Sequence, residues 1–334
     1  MKKILVVGGA GYIGSHMVKM LLAKGYEVVT LDNLENGFQD AVVGGEFVLG
    51  DLADRNCLND LFTANKFAGV MHFASHIQVG ESVQNPGKYY QNNVANTLNL
   101  LDAMVANNVN AFIFSSTAAI FGEPEYTPID EKHPKQPINP YGLSKWMIEQ
   151  VLADFDKAHG LKSCCLRYFN AAGADPEGEL GERHDPETHL IPLVLQAASG
   201  RRKNITVFGK DYDTPDGTCI RDYIHITDLC QAHLLALEKL MDGADSMAFN
   251  LGNGQGFSVQ EVIDVAREVT GQEIPVVESE RREGDPARLV ADSSLARKRL
   301  GWKPEYAELS TIIKHAWLWE KNFFCGEGGK QETA

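Results

Sequence analysis

The sequence is short of positive charge, has no cysteine pair at CxxC spacing and contains no long apolar run, and each shortage excludes something. Its 334 residues hold 31 Lys and Arg against 45 Asp and Glu, a formal net charge of -14 at pH 7. Such a surface repels nucleic-acid phosphates and anionic membranes, so neither is expected as a partner. An anionic ligand must then be met by a local cluster of arginines. No segment reaches the roughly 20 apolar residues that span a bilayer. Met1-Lys2-Lys3 leads straight into the apolar run Ile4 to Val7, with no cleavable signal pattern. A cytoplasmic protein is expected. Cys57, Cys164, Cys165, Cys219, Cys230 and Cys325 are scattered without CxxC spacing, as suits reduced structural thiols. The histidines are read as offering no pair at HxxxH or HExxH spacing, and no metal is expected.

What is present is a globular composition, 44% hydrophobic and 9% aromatic, sufficient for one large or two associated domains. The first half alternates β-rich runs with amphipathic stretches. Strands are predicted at Lys3-Val7, Glu27-Leu31, Glu46-Leu49, Gly69-His72, Ala111-Ser115 and Lys162-Arg167. Helices are predicted near Tyr12-Ala23, Arg55-Asn65, Tyr90-Asn107 and Pro140-His159. That rhythm predicts an α/β fold with a doubly wound parallel sheet over residues 1–170. After Asn170 the chain turns to Gly, Pro, Asp and Glu-rich loops with helices near Leu190-Ser199, Thr227-Leu240 and Val259-Thr270. A smaller mixed lobe over 171–334 is expected, with the stretch near 226–252 returning to the first domain.

Gly8-Gly9-Ala10-Gly11-Tyr12-Ile13-Gly14 follows an apolar strand and opens a helix. In that setting glycines allow a tight turn and a close backbone approach to a pyrophosphate, while the helix N-terminus supplies N–H groups and dipole. Asp32 stands at the end of the second strand, where a carboxylate accepts hydrogen bonds from ribose hydroxyls and repels a 2'-phosphate. This favours NAD over NADP, on a Rossmann-type sheet.

Tyr141-Gly142-Leu143-Ser144-Lys145 places a phenol and an ammonium four residues apart, on one helix face. Asn139 suits the N-cap and Pro140 the first helical position. A free tyrosine titrates near about 10, so an ionised Tyr141 at neutral pH needs a drop of roughly three units; Lys145 and a nearby nicotinamide cation are the expected sources. Ser115-Ser116-Thr117 ends an apolar strand at the carboxyl edge, where a hydroxyl can relay a proton.

The GxxGxxG spacing resembles that of the extended short-chain dehydrogenase/reductase family. From Lys3 to about Trp319 the chain is similar to that family's UDP-glucose (UDP-galactose) 4-epimerases. The resemblance implies cofactor contacts from Gly8, Gly11, Tyr12, Ile13, Gly14, Asp32 and Asn33. It adds Asp51, Leu52, Phe73, Ala74, Ser75, Asn92, Ser115, Tyr141, Lys145 and Phe169. Thr117 stands where the family usually has its relay serine. Ala118-Ala119 occupies the place where sugar 4,6-dehydratases carry an Asp-Glu pair, so elimination of water is not expected.

For the substrate, the resemblance implies Thr117, Tyr141, Asn170, His189, Leu190, Val207 and Phe208. Arg221 and Arg282 are implied for the diphosphate, Asp285 for the uridine ribose and Leu289 for the wall beside C2 of the sugar. Guanidinium forks suit paired phosphate oxygens. The implied activity is 4-epimerisation of a UDP-hexose through oxidation and re-reduction at C4, in a homodimer.

Overall fold

The computed structural model describes residues 1–282 and 284–325. Alternation decides its centre. In β1 (Lys3–Val7), Ile4 to Val7 are at most 1% exposed. Successive side chains point to opposite faces, so Ile4 and Val6 enter one hydrophobic core while Leu5 and Val7 enter another. A strand buried on both faces belongs inside a parallel sheet covered on both sides.

β2 (Glu27–Asp32), β3 (Glu46–Leu49), β4 (Phe67–His72), β5 (Ala111–Thr117), β6 (Lys162–Tyr168) and β7 (Met247–Leu251) complete that sheet. Its seven strands run in the order β7-β6-β5-β4-β1-β2-β3, every neighbouring pair parallel. This is a doubly wound, Rossmann-type α/β sheet. The flanking helices are α1 (Tyr12–Ala23), α2 (Arg55–Ala64), α3 (Asn96–Ala106), α4 (Pro140–His159) and α5 (Ile226–Met241). Helices α1 and α5 cover one face; α2, α3 and α4 cover the other. Chain order reverses between β1 and β4, which opens a crevice at their carboxyl ends.

Two elements depart from the pattern expected of them. β5 runs on to Thr117 because β6 pairs with it as far as Thr117 opposite Tyr168. The helix expected to begin at Tyr90 starts earlier, at Pro86, and widens into a π-type turn over Tyr90–Ala95 before α3. There the buried Asn93 amide accepts from the His76 N–H (2.9 Å), donates to the His76 carbonyl (3.0 Å) and donates to Ser144 Oγ (3.1 Å). The turn thus locks the loop after β4 to α4.

A third core gathers the helices Leu190–Ala198, Val259–Thr270 and Leu309–Glu320 around short strands, including Ile205–Phe208 paired with Val276–Ser279. Ser258 and Glu261 form a reciprocal capping box at the start of the middle helix. Among the described residues no helix is long and apolar enough to cross a membrane.

Beneath the carboxyl edge of the sheet, Arg167 of β6 donates to Glu149 of α4 through Nε (3.0 Å) and a terminal nitrogen (2.5 Å). Ser116 Oγ of β5 donates to the same carboxylate at 2.6 Å. All three side chains are buried. Glu149→Ala leaves the guanidinium buried and unpaired, and should destabilise the protein by about 3–5 kcal/mol in denaturant unfolding. The double replacement Glu149→Leu with Arg167→Met should lose clearly less, because neither charge is then stranded.

Candidate active site

The glycines of the first loop meet three different demands. A Cβ on Gly8, where φ is +78°, would lie 2.4 Å from Ala74 N, so this glycine lets β1 and the loop after β4 close on each other. A Cβ on Gly14 would lie 2.1 Å from the Gly8 carbonyl oxygen, so helix and loop touch there. A Cβ on Gly11 would meet only that oxygen, at 3.5 Å, and otherwise point into open space. Gly11 is therefore not required by the protein's own packing; it leaves a cradle at the N-terminus of α1.

That cradle opens into a cavity of about 990 Å³. Gly8, Gly11, Tyr12, Ile13 and Gly14 line it, with Asp32 and Asn33 beside them. Asp32 is buried and accepts from Ala10 N (2.9 Å) and Leu34 N (2.8 Å), one bond to each oxygen. Burial pushes its carboxyl upward, and these two N–H groups pull it back. A carboxylate has about four acceptor positions, so two remain. Asn33 donates to Asp51 at 2.7 Å, joining the ends of β2 and β3, and Asp51 and Leu52 line the same space. Phe73, Ala74, Ser75 and Asn92 form the opposite wall.

Farther along, Tyr141 and Thr117 face the cavity with Ser115 and Phe169. Asn139 accepts from Gly142 N at 2.8 Å and caps α4, with Pro140 at its first position. Gly142 answers a close contact that its motif did not announce: a Cβ there would lie 2.5 Å from the Ala119 carbonyl oxygen. The start of α4 thereby sits on the turn after β5. The three hydroxyls of that strand end part company. Ser115 bonds Tyr168, Ser116 bonds Glu149, and Thr117 accepts from Ala119 N at 3.1 Å while standing beside the Tyr141 phenol.

Lys145 lies beneath the cavity, 2% exposed, and donates to Ser75 Oγ (2.6 Å) and the Ser115 carbonyl (2.8 Å). Its ammonium also stands 4.9 Å from the centre of the Phe114 ring. Burial lowers Lys145 to about 7. Burial raises Tyr141, and the Thr117 hydroxyl opposes it. The depression expected of the phenol was tied to Lys145 together with a nicotinamide cation, and in the protein alone the Lys145 donors are turned toward Ser75 and the Ser115 carbonyl.

On the second lobe, Asn170, His189, Arg221, Arg282, Asp285 and Leu289 all reach the cavity. Arg221 is ion-paired with Asp285, and the Arg282 guanidinium lies 3.9 Å from the centre of the Phe208 ring. Three expected residues do not line the cavity. Val207 is 1% exposed within the third core, Leu190 packs against that core, and Phe208 supports Arg282 from behind. The alternation of Ile205 and Val207 into the core was a readable signal for the first of these.

Histidines also behave differently from expectation. His72 and His76 have HxxxH spacing but separate partners: His72 Nε2 meets Thr97 Oγ1 at 2.9 Å, and His76 faces Glu35. His184 and His189, from an irregular loop, converge instead with Glu182 and Glu187 at the cavity edge.

A family model described as "NAD dependent epimerase/dehydratase family" matches residues 4–252. The chain belongs to that family. It is 52% identical over 318 residues to the UDP-glucose 4-epimerase of Halalkalibacterium halodurans, with 95% of each chain covered. It matches the UDP-glucose 4-epimerase of Brucella ovis in complex with NAD at a TM-score of 0.93 and 50% identity, covering 95% of this chain and 98% of that one. The UDP-glucose 4-epimerase of Bifidobacterium longum in complex with NAD+ and UDP matches at a TM-score of 0.90 and 39% identity, over 96% and 98%.

NAD, the cofactor of this family, fits what is present. Gly11 leaves room at a helix N-terminus that attracts phosphate, and Asp32 keeps acceptor capacity at the end of β2. Gly11→Ala should melt close to the parent when both are stripped of nucleotide, yet should lose most of its NAD on purification. Gly14→Ala should both lose NAD and melt lower, because its methyl strikes the Gly8 carbonyl. Thermal melting and nucleotide content of the two purified variants check this.

Proposed function

We propose that the chain interconverts UDP-glucose and UDP-galactose by oxidising and re-reducing C4 of the sugar. The observation that carries the proposal is that the Tyr141 phenol and the Thr117 hydroxyl share the wall of the same cavity that holds the Gly11 cradle and Arg221 and Arg282. A proton acceptor, a dinucleotide cradle and guanidinium groups for a diphosphate are thereby joined in one space.

NAD, when bound, supplies the hydride acceptor and later the donor. Tyr141 takes the C4 hydroxyl proton, directly or through Thr117, and returns it at the end. Lys145 holds positive charge beneath the phenol, fixed by Ser75 and the Ser115 carbonyl. Arg221 and Arg282 grip the diphosphate and Asp285 the uridine ribose, so the 4-keto sugar can turn while its anchor stays. Asn170 serves a sugar phosphate or hydroxyl with His189 beside it in the cavity wall, and Phe169 walls the redox end. Ala118 and Ala119 provide no acid or base, which keeps the chemistry to epimerisation.

On this reading residues 1–170 hold NAD and 171–334 chiefly hold the UDP-sugar, with α5 and β7 belonging to the first domain. The same reading makes the protein a cytoplasmic homodimer, paired through the helices near Tyr90–Asn107 and Pro140–His159. On the latter, Met147 (40% exposed) and Leu143 (37%) are exposed apolar residues, and the six cysteines are unpaired thiols. Leu143→Glu with Met147→Glu should shift the sedimentation coefficient to that of a monomer. Unchanged sedimentation of a folded variant would exclude this interface.

Tyr141→Phe should lower epimerisation by about 10²- to 10⁴-fold, the usual worth of a general base, while still holding NAD and UDP. Near-normal turnover would remove Tyr141 as the base. The reacting form is the phenolate, and burial raises the phenol, so the rate should climb as pH rises until Lys145, lowered to about 7, loses the charge that supports it. Thr117→Val removes the hydroxyl that lowers Tyr141, and should move that rising limb to higher pH. A panel of UDP-sugars, including N-acetylated hexosamines and pentoses, tests the companion reading that Leu289 admits other sugars.

A further inference from the structure

The loop that leads from the small strand Asn170–Ala172 to the helix Leu190–Ala198 contains Glu182, His184, Glu187 and His189. Each of the four offers a ligand atom, and these atoms lie within 4.8 Å of one another. His184 Nδ1 stands 3.4 Å from Glu182 Oε1 and 3.4 Å from Glu187 Oε2. His189 Nδ1 stands 2.5 Å from Glu182 Oε1 and 3.6 Å from Glu187 Oε1. Zinc binds nitrogen and oxygen at about 2.0–2.2 Å, so the edges of its coordination tetrahedron measure roughly 3.3–3.5 Å. Three of the four nitrogen–oxygen distances already lie close to that edge.

We propose that Glu182, His184, Glu187 and His189 form a binding site for one divalent transition-metal ion of the zinc class. Two imidazole nitrogens and two carboxylate oxygens are a borderline donor set, which suits zinc and its neighbours and not the oxygen-only shells of magnesium or calcium.

The surroundings fit an ion. His184 Nδ1 is buried without a hydrogen-bond partner although it points at both carboxylates. Glu187 Oε1 accepts from Thr188 N (2.7 Å) and His189 N (2.8 Å), which orients the carboxylate and leaves Oε2 toward His184. The Glu182 carbonyl accepts from Trp319 Nε1 at 3.2 Å, tying that ligand's backbone to the third core's last helix. Glu182 and Glu187 side chains are 6% exposed, whereas His189 is 45% exposed and gives an ion its way in.

The acidic group Asp175, Glu177 and Glu179 differs, because Lys19 already reaches all three carboxylates. The ion pins the loop that carries His189 to the wall beside Tyr12, whose ring meets His184 edge-on at 6.4 Å.

The test needs no activity, so it stands or falls apart from the proposed reaction. NAD-loaded protein is stripped with a chelator and titrated with Zn2+ by calorimetry, with metal content measured after dialysis. One equivalent per chain is expected. His184→Gln and Glu187→Gln should each weaken binding by at least about 100-fold, more than loss of an outer-shell partner usually does. Zn2+ should raise the melting temperature of the parent and of neither variant. If His184→Gln fails to fold, Glu187→Gln alone decides. Absence of zinc binding by the parent, or equal binding by a folded variant, overturns the proposal.

Discussion

The bidentate contact between Arg167 and Glu149 is the constraint on which the site depends. It crosses from β6 to α4, takes in Ser116 of β5, and lies one helical turn beyond Lys145. A buried ion pair contributes little net stability against apolar residues of the same volume. Its effect here is geometric. It sets the rotation and height of α4 against the carboxyl ends of β5 and β6. That placement brings Tyr141 to Thr117, turns Lys145 toward Ser75, and presses Gly142 onto Ala119. Apolar replacements would fill the volume without dictating the angle.

A second constraint is the reversal of strand order between β1 and β4. Gly8 is where the two sides meet, since any side chain there would strike Ala74. Gly11, three residues later, is a glycine for a different reason: nothing in the protein needs the space it leaves. The first glycine belongs to the fold and the second to the ligand.

Much of this was legible in the residues because the signals are local. Gly8 to Gly14, Asp32, and Asn139 through Lys145 each lie on one turn or one strand end, so spacing alone places them. Even the end of α4 at His159 follows from Gly160, whose left-handed backbone closes the helix. Contacts that join distant segments left no such trace. Asn93 bridges the His76 backbone and Ser144, while Asn92, its neighbour, carried the expectation. Val207 was placed at the substrate by its motif, yet strand alternation sends it into the third core. His184 and His189 have no helical period to announce them; only the path of an irregular loop brings them together with two carboxylates.

The electrostatics of Tyr141 and Lys145 show why local motif and site are not the same thing. Four residues apart on a helix, the two would be an ordinary surface pair. Burial changes both, lifting the phenol and lowering the ammonium to about 7, so the enclosed wall favours the uncharged form of each. A phenolate forms there only if positive charge stays nearby, because an isolated anion in a poorly solvated wall is strongly disfavoured. The fixed neighbours act toward that end: the Ser75 hydroxyl, the Ser115 carbonyl and the face of Phe114 hold the ammonium, and the Thr117 hydroxyl beside the phenol favours its ionised form. The strand end thus supplies what the helix motif lacks. Reactivity at Tyr141 is a property of β5 and α4 together, held in register by Arg167 and Glu149.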